Sequence, residues 1–465
     1  MRSIVRPDSP AALPDEGERE LEAWMMRLLG KDGLTWLLDE PFAQPRGTEM
    51  LLESFDPNDT FAEINWAQRG TLLGLTSRLR ATGDERFLKA GAAMVDGLLA
   101  TAVKHEDGLF LPEGYFRGSG RRRQEPGLYP GIEEYNAAVL VPADRFYRAG
   151  GHLVPADRFY RAGGHAPALD LAEGLANFAL RHSRGYLPDG SLYPGEGAGK
   201  GQGTLDHLHT CTNFRLGVLD LGIETSRREL VAWARHSYER AKIWGTDFGW
   251  FPEGMGYRHG ATCCTTDIIE AALLLGRHVD RAYFADAERF GRNHLIETQY
   301  LSLAQLEEAL ARLPKDTGPA PHECQYSTAR GVTASQVGAF AARSTLNDAF
   351  HLDLTAMMQC CNAAGARALF DLWRYATDEQ ALHLRFSVET SALRAVSHEP
   401  AGGQIDLTPK QSGHLAVRLP AGVHHAVATT AGHTHGVEAC EGYAHLEVRA
   451  GQSLSLHYAL PERSA

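Results

Sequence analysis

The chain has 465 residues, 43% of them apolar and 22% charged, and a formal net charge of −12. This length can bury a large core and suits one big domain with smaller companions. The acidic balance excludes a nucleic-acid groove, since no basic run exceeds Arg121-Arg122-Arg123. The first residues, Met1-Arg2-Ser3-Ile4-Val5-Arg6-Pro7-Asp8, show no signal-peptide stretch, and no segment approaches the ~18 apolar residues of a membrane span. The expected location is therefore the cytoplasm, where thiols stay reduced.

Residues 1–60 read as a lead-in segment, polar and Pro-rich at first, with an amphipathic stretch at Glu20–Leu29 and an apolar patch at Leu34–Leu38. From residue 61 to 378 a unit of helix, turn and helix recurs. Its first example is Gly70–Leu79 followed by Phe87–Leu99. It returns at Pro167–Leu180, where the proline suits a first helical position, at Phe214–Leu221 with Leu230–Ile243, and at Ile268–Leu275 with Tyr283–Leu295. Helical hairpins that cannot bury their apolar faces alone stack together, and a ring of them is an α/α toroid with its loops at one mouth. The fold expected is mainly α, an (α/α)6 toroid of helical hairpins followed by a small C-terminal β-sandwich. Loops between the hairpins are rich in Gly, Pro and aromatics, and Tyr193 and Trp250 within them suit stacking on a sugar ring. Glu113, Asp189, Glu253 and Glu323 are the loop carboxylates available as acids or bases.

One segment stands apart. Leu140–His152 reads LVPADRFYRAGGH, and Leu153–His165 repeats it without a change. We read this as a recent tandem duplication. Thirteen residues are not a whole number of helical turns, so one copy is expected to be extruded as a loop or helix extension at the surface. Residues 313–345 read as an irregular stretch carrying His322-Glu323-Cys324. From 379 to 465 short alternating segments, broken at Gly402-Gly403, Pro420-Ala421-Gly422 and Ala450-Gly451, predict the β-sandwich.

The chemistry-bearing residues are cysteines. Cys360-Cys361 and Cys263-Cys264 both stand at the start of a helical run, where unpaired N–H groups and the helix dipole favour the thiolate. In a reducing compartment such pairs point to metal or catalytic groups rather than disulfides, and zinc suits S and N ligands. Buried inert thiols are the plain alternative, and it suits the isolated Cys211 and Cys440. His207 and His209 open another helix, from which they can hydrogen-bond sugar hydroxyls or sit satisfied in the core.

The run Cys360-Cys361-Asn362-Ala363-Ala364-Gly365-Ala366-Arg367-Ala368-Leu369, the upstream Ala261-Thr262-Cys263-Cys264 and the strand Leu415-Ala416-Val417-Arg418-Leu419-Pro420 together resemble glycoside hydrolase family 127, the β-L-arabinofuranosidase family. The similarity runs from roughly Trp66 to Leu460. The resemblance implies an (α/α)6 barrel with β-sandwich material and a retaining mechanism in which a zinc-bound cysteine attacks the anomeric carbon. By that resemblance Cys360 is the nucleophile, Cys361 and Cys263 are further zinc ligands, and His207 contacts substrate. The family's glutamate ligand, two residues before its first ligand cysteine, is Ala261 here, leaving Cys264 or Glu323 to complete the site; Glu253 is the nearest match to its acid/base. The sequence therefore predicts an exo-acting glycosidase on a small carbohydrate, with zinc as cofactor, no nucleic-acid or membrane partner, and a surface compatible with a homodimer. A sugar isomerase or epimerase using the paired histidines, and a non-catalytic sugar-binding or zinc-stabilised protein, are the competing readings.

Overall fold

A computed structural model describes residues 72, 75–76, 79, 83, 85–110, 156, 158–182, 186–191, 208–254, 257–311, 332–335, 337–348 and 359–460. The expected lead-in at 1–60, the first duplicate at 140–152, and Glu113, Tyr193, His207, Glu323 and Cys324 lie outside the described residues.

The first part of the chain is helical. Helices α1 (Glu85–Thr101) and α2 (Ala166–His182) pack together beside a small hairpin, β1 (Val103–His105) and β2 (Gly108–Phe110). They are followed by α3 (Leu208–Glu224), α4 (Arg228–Ala241), α5 (Thr262–His278), α6 (Phe284–Phe290) and, later, α7 (Leu303–Ala311) and α8 (Gln359–Arg374). Helix α4 is amphipathic and buries Leu230, Ala234, Ser237, Tyr238 and Ala241, one stripe at helical spacing. By contrast α5 is buried on every side from Thr262 to Gly276, because α3, α6 and α8 all pack against it. It starts six residues before the apolar run that marks it in sequence: Thr262, Thr265 and Thr266 are buried with their hydroxyls bonded to the Ala341, Gly249 and Thr262 carbonyls. Polar residues satisfied by backbone carbonyls sit in a core at little cost.

The duplicated segment contributes to this core through its second copy. Ala156 and Phe159 are fully buried, and Arg158 and Arg161 pair with Asp220 of α3, Arg158 also with Glu270 of α5.

Beyond residue 380 the chain forms a nine-stranded sheet of β5 (Ala381–Leu382), β6 (Val388–Glu389), β7 (Leu393–Ser397), β8 (Gln404–Pro409), β9 (Gly413–Arg418), β10 (His425–Thr430), β11 (His433–Cys440), β12 (Tyr443–Val448) and β13 (Leu454–Tyr458). The order is β5-β9-β12-β11-β10-β13-β8-β7-β6. Strand β11 is shared: residues 433–438 pair with β10 and residues 439–440 with β12, so the sheet curls about it. The hairpins on either side of β11 turn through Ala431-Gly432 and Glu441-Gly442, with φ of 48° and 82°, and 52° and 79°. This is the primed-turn geometry that matches strand twist.

The two parts meet at a buried ion cluster. Glu288 of α6 faces Arg418 of β9, Arg385 and Arg292, while Glu399 pairs with Arg385 at 2.8 Å and accepts the Tyr458 hydroxyl at 2.8 Å. Burial alone would raise the Glu288 pKa, but Arg385, Arg418 and Arg292 outweigh it and hold the carboxyl down at about 2, against an ordinary value of 4.5. Among the described residues no helix is long and apolar enough to cross a membrane.

A carboxyl held below its unfolded value adds stability that is present above pH 4.5 and lost as pH falls towards 2. Chemical denaturation between pH 6 and pH 3 should therefore show a steeper loss of stability in the wild type than in Glu288→Gln, which starts lower at pH 6; equal slopes would place the acid-sensitive group elsewhere.

Candidate functional site

Helices α5 and α8 bring two cysteines together at their starts. The Sγ atoms of Cys263 and Cys361 lie 3.6 Å apart, and both residues are buried. Burial raises the neighbouring Cys264 thiol above its ordinary value; the Cys263 thiol opposes this, while Asp267, Cys361 and Glu253 add to it. Cys360 is in the first turn of α8, as the sequence places it.

A segment after α7 ties these two helix starts to each other. Residues 260–261 (β3) pair antiparallel with 343–344 (β4), Ala261 opposite Arg343. The Thr262 amide donates to Ala342 O, and the Phe340 amide donates to Asn362 Oδ1 in α8. Phe340 packs onto the backbone of α8 at Gly365, where a Cβ would come within 2.5 Å of the ring. Only glycine leaves room for that approach.

The adjoining loop carries Glu253. Its carbonyl accepts the Leu208 amide at 2.6 Å, which fixes the loop against the start of α3. Its carboxylate is taken at both oxygens: Arg343 Nη2 is 3.0 Å from Oε1, Arg343 Nε 2.7 Å from Oε2, and His259 Nε2 2.7 Å from Oε2. Trp250, on the same loop, is buried and donates its indole N–H to Ser344 O at 3.1 Å.

His209, in the first turn of α3, is also buried, with Nδ1 2.7 Å from Asp267 Oδ2. Burial would raise the Asp267 pKa, but His209, Arg367 and the Thr212 hydroxyl hold it below its ordinary value. One turn further along α5, Glu270 takes Arg367 of α8 at 2.5 Å and Arg158 at 2.6 Å. Asp371 of α8 lies close to this charge: burial and the Glu270 carboxylate push it up to about 6.

Of the residues singled out in sequence, the structure thus brings together Cys263, Cys264 and Cys361, and sets Glu253, Trp250 and His209 on the elements that adjoin them. Asp189 lies elsewhere, exposed and bonded to Ser191. Arg343, His259, Asp267 and Arg367 were not singled out. Arg343 falls in the stretch read as irregular, in a strand of only two residues. Asp267 and Arg367 carry a signal in retrospect: each is a charged residue that follows a cysteine pair at helical spacing.

The separation of the Cys263 and Cys361 sulfurs fits two ligands of one zinc ion. Two Zn–S bonds of ~2.3 Å at the tetrahedral angle span about 3.8 Å, close to the observed thiol separation.

No family model matches the sequence, and no curated protein does. Solved structures do match in fold. One is a family 127 β-L-arabinofuranosidase from Geobacillus stearothermophilus T6, at 13% identity and a TM-score of 0.54, covering 98% of this chain and 74% of that one. A second family 127 β-arabinofuranosidase matches at 14% identity and 0.54, over 96% and 79%. A further structure, described as a glycoside hydrolase, matches at 15% and 0.52, over 96% and 76%. At these identities the likeness is one of fold, and it extends over helical body and sheet together.

Thiols 3.6 Å apart are close enough to cross-link. Mild oxidation of the metal-free protein should yield a peptide joining Cys263 to Cys361, and zinc added beforehand should suppress it; oxidation confined to the exposed Cys440 would contradict the geometry.

Proposed function

We propose that this protein is an exo-acting, retaining glycoside hydrolase of the β-L-arabinofuranosidase type, acting on a small glycoside or oligosaccharide. Its helical hairpins, residues 61–378, would form an (α/α)6 toroid, with residues 379–465 as a β-sandwich against it and 1–60 as a lead-in. The observation that carries this reading is the meeting of Cys263 and Cys361 at two helix starts beside Glu253, in a fold similar to that of family 127 enzymes.

In this reading Cys360 is the nucleophile. Arg367 stands seven residues after it, two helical turns along one side of α8, and is locked to α5 by Glu270. Cys263, Cys361 and Cys360 would hold zinc, with Cys264 completing the set; when bound, the ion keeps the thiols ionised. The Cys360 thiolate attacks the anomeric carbon, the glycosidic C–O bond breaks, and the leaving oxygen takes a proton from Glu253. Water then gives a proton back to Glu253 and displaces the sulfur, releasing the sugar with its configuration retained. Glu253 carries that proton only when one of its two partners gives way; a protonated His259, 2.7 Å away, can hand its proton to Oε2 directly. Arg343 then orients the carboxylate. Trp250 and Tyr193 would line the sugar's approach and His207 and His209 its hydroxyl side, His209 held in place by Asp267.

Protein purified under reducing conditions should contain near-stoichiometric zinc, and Cys360→Ser should lower hydrolysis of a panel of aryl glycosides by at least ~100-fold. Full activity in that variant would reject the thiol mechanism. A wild type that is fully active yet carries no zinc, with activity still lost in Cys360→Ser, would reject the metal and keep the thiol.

A further inference from the structure

The outer face of the sheet holds a second constellation of ligating groups, away from the cysteines. Strands β9 and β12 pair antiparallel with Leu415 opposite Leu446, His414 opposite Glu447 and Ala416 opposite His445. Leu415 and Leu446 are buried, so the alternation puts His414, His445 and Glu447 on the other face, where all three are exposed. The two imidazoles stack, with centroids 5.0 Å apart and planes at 27°, and His414 Nε2 lies 2.9 Å from His445 Nδ1.

Two imidazoles sharing one hydrogen hold together only while at least one is neutral; when both carry a proton, like charges meet at contact distance. An ion that replaces the shared hydrogen removes that constraint. Two metal–nitrogen bonds of ~2.0–2.1 Å at a right angle span about 2.9 Å, which is the observed separation. A small rotation of each exposed ring turns both lone pairs onto one ion. Glu447, directly across from His414, has a Cβ ~5 Å from that of its partner and can bring a carboxylate oxygen to the same ion. Two imidazole nitrogens at a right angle, with the remaining positions open to water and to the Glu447 carboxylate once its exposed side chain swings towards them, suit Ni2+ and Cu2+ rather than a tetrahedral zinc.

We propose that His414, His445 and Glu447 form a surface site for a tetragonal or octahedral late transition-metal dication, stapling β9 to β12. The strands hold the ligands on a rigid frame, so binding pays little in ordering them. The acidic group at His105, Glu106 and Asp107 differs: there His105 Nδ1 accepts the Asp107 amide and Asp107 is bound by Arg181 at 2.7 Å, so its ligands are already committed to each other.

The test is a calorimetric titration of tag-free, zinc-loaded full-length protein with NiCl2 at pH 7.5. One saturable site with a micromolar dissociation constant is expected. His414→Ala and His445→Ala should each weaken it by at least tenfold, and Glu447→Gln by a smaller factor. His435→Ala, on β11, should leave it unchanged. Melting temperatures without nickel should match the wild type in all four variants, since the side chains are exposed, and added nickel should raise that of the wild type only where the pair is intact. No saturable nickel binding, or binding unaltered in His414→Ala and His445→Ala, would overturn the proposal. Neither result bears on the thiol site, which is already filled with zinc in this experiment.

Discussion

The pairing of Arg367 with Glu270 and Asp267 is the constraint on which the rest of the helical body depends. Asp267 and Glu270 lie four and seven residues after Cys263, on one side of α5. Arg367 reaches them from α8. Helices packed by apolar side chains alone can slide by a turn at modest cost; buried charges cannot, because a slip strands each of them without a partner, at about 3–5 kcal/mol for a broken pair. The ion pairs therefore set the register of α8 against α5, and the register decides that Cys361 meets Cys263. Arg158 and the His209 contact extend the same network to α3, so that the elements bordering the thiols are positioned by one set of charges.

Much of this architecture was legible in the chain. Helical periodicity located the runs that became α1 to α6 and α8, and turn residues with alternating burial located most of the sheet. What was missed has physical reasons. Helix α5 begins in a run of threonines and cysteines, residues with no helical apolar stripe, and its Thr262 and Thr265 hydroxyls bond to the Ala341 and Gly249 carbonyls, which only the tertiary structure supplies. Strand β11 reads HTHGVEAC and exposes four successive residues, because as the strand about which the sheet curls it has no continuous inner face. Its flanking turns, Ala431-Gly432 and Glu441-Gly442, were the available signal.

The candidate site was legible only in part. Adjacent cysteines at helix starts carry a local electrostatic signature, and these were found. The groups around Glu253 are assembled from residues far apart: Arg343 is 90 residues away and lies in a strand of two residues beside Ala261. Such contacts leave no local pattern.

The duplicated thirteen residues acquire a meaning from where the second copy sits. Arg158, Arg161 and Phe159 are built into the charged core, and the first copy carries the same three side chains as Arg145, Arg148 and Phe146. Excising either copy from the gene leaves one and the same polypeptide, with the junction to α2 intact. A segment on which the register of the central helices rests is therefore encoded twice in succession, and an inactivating substitution in one copy can be repaired by recombination with its neighbour a few codons away.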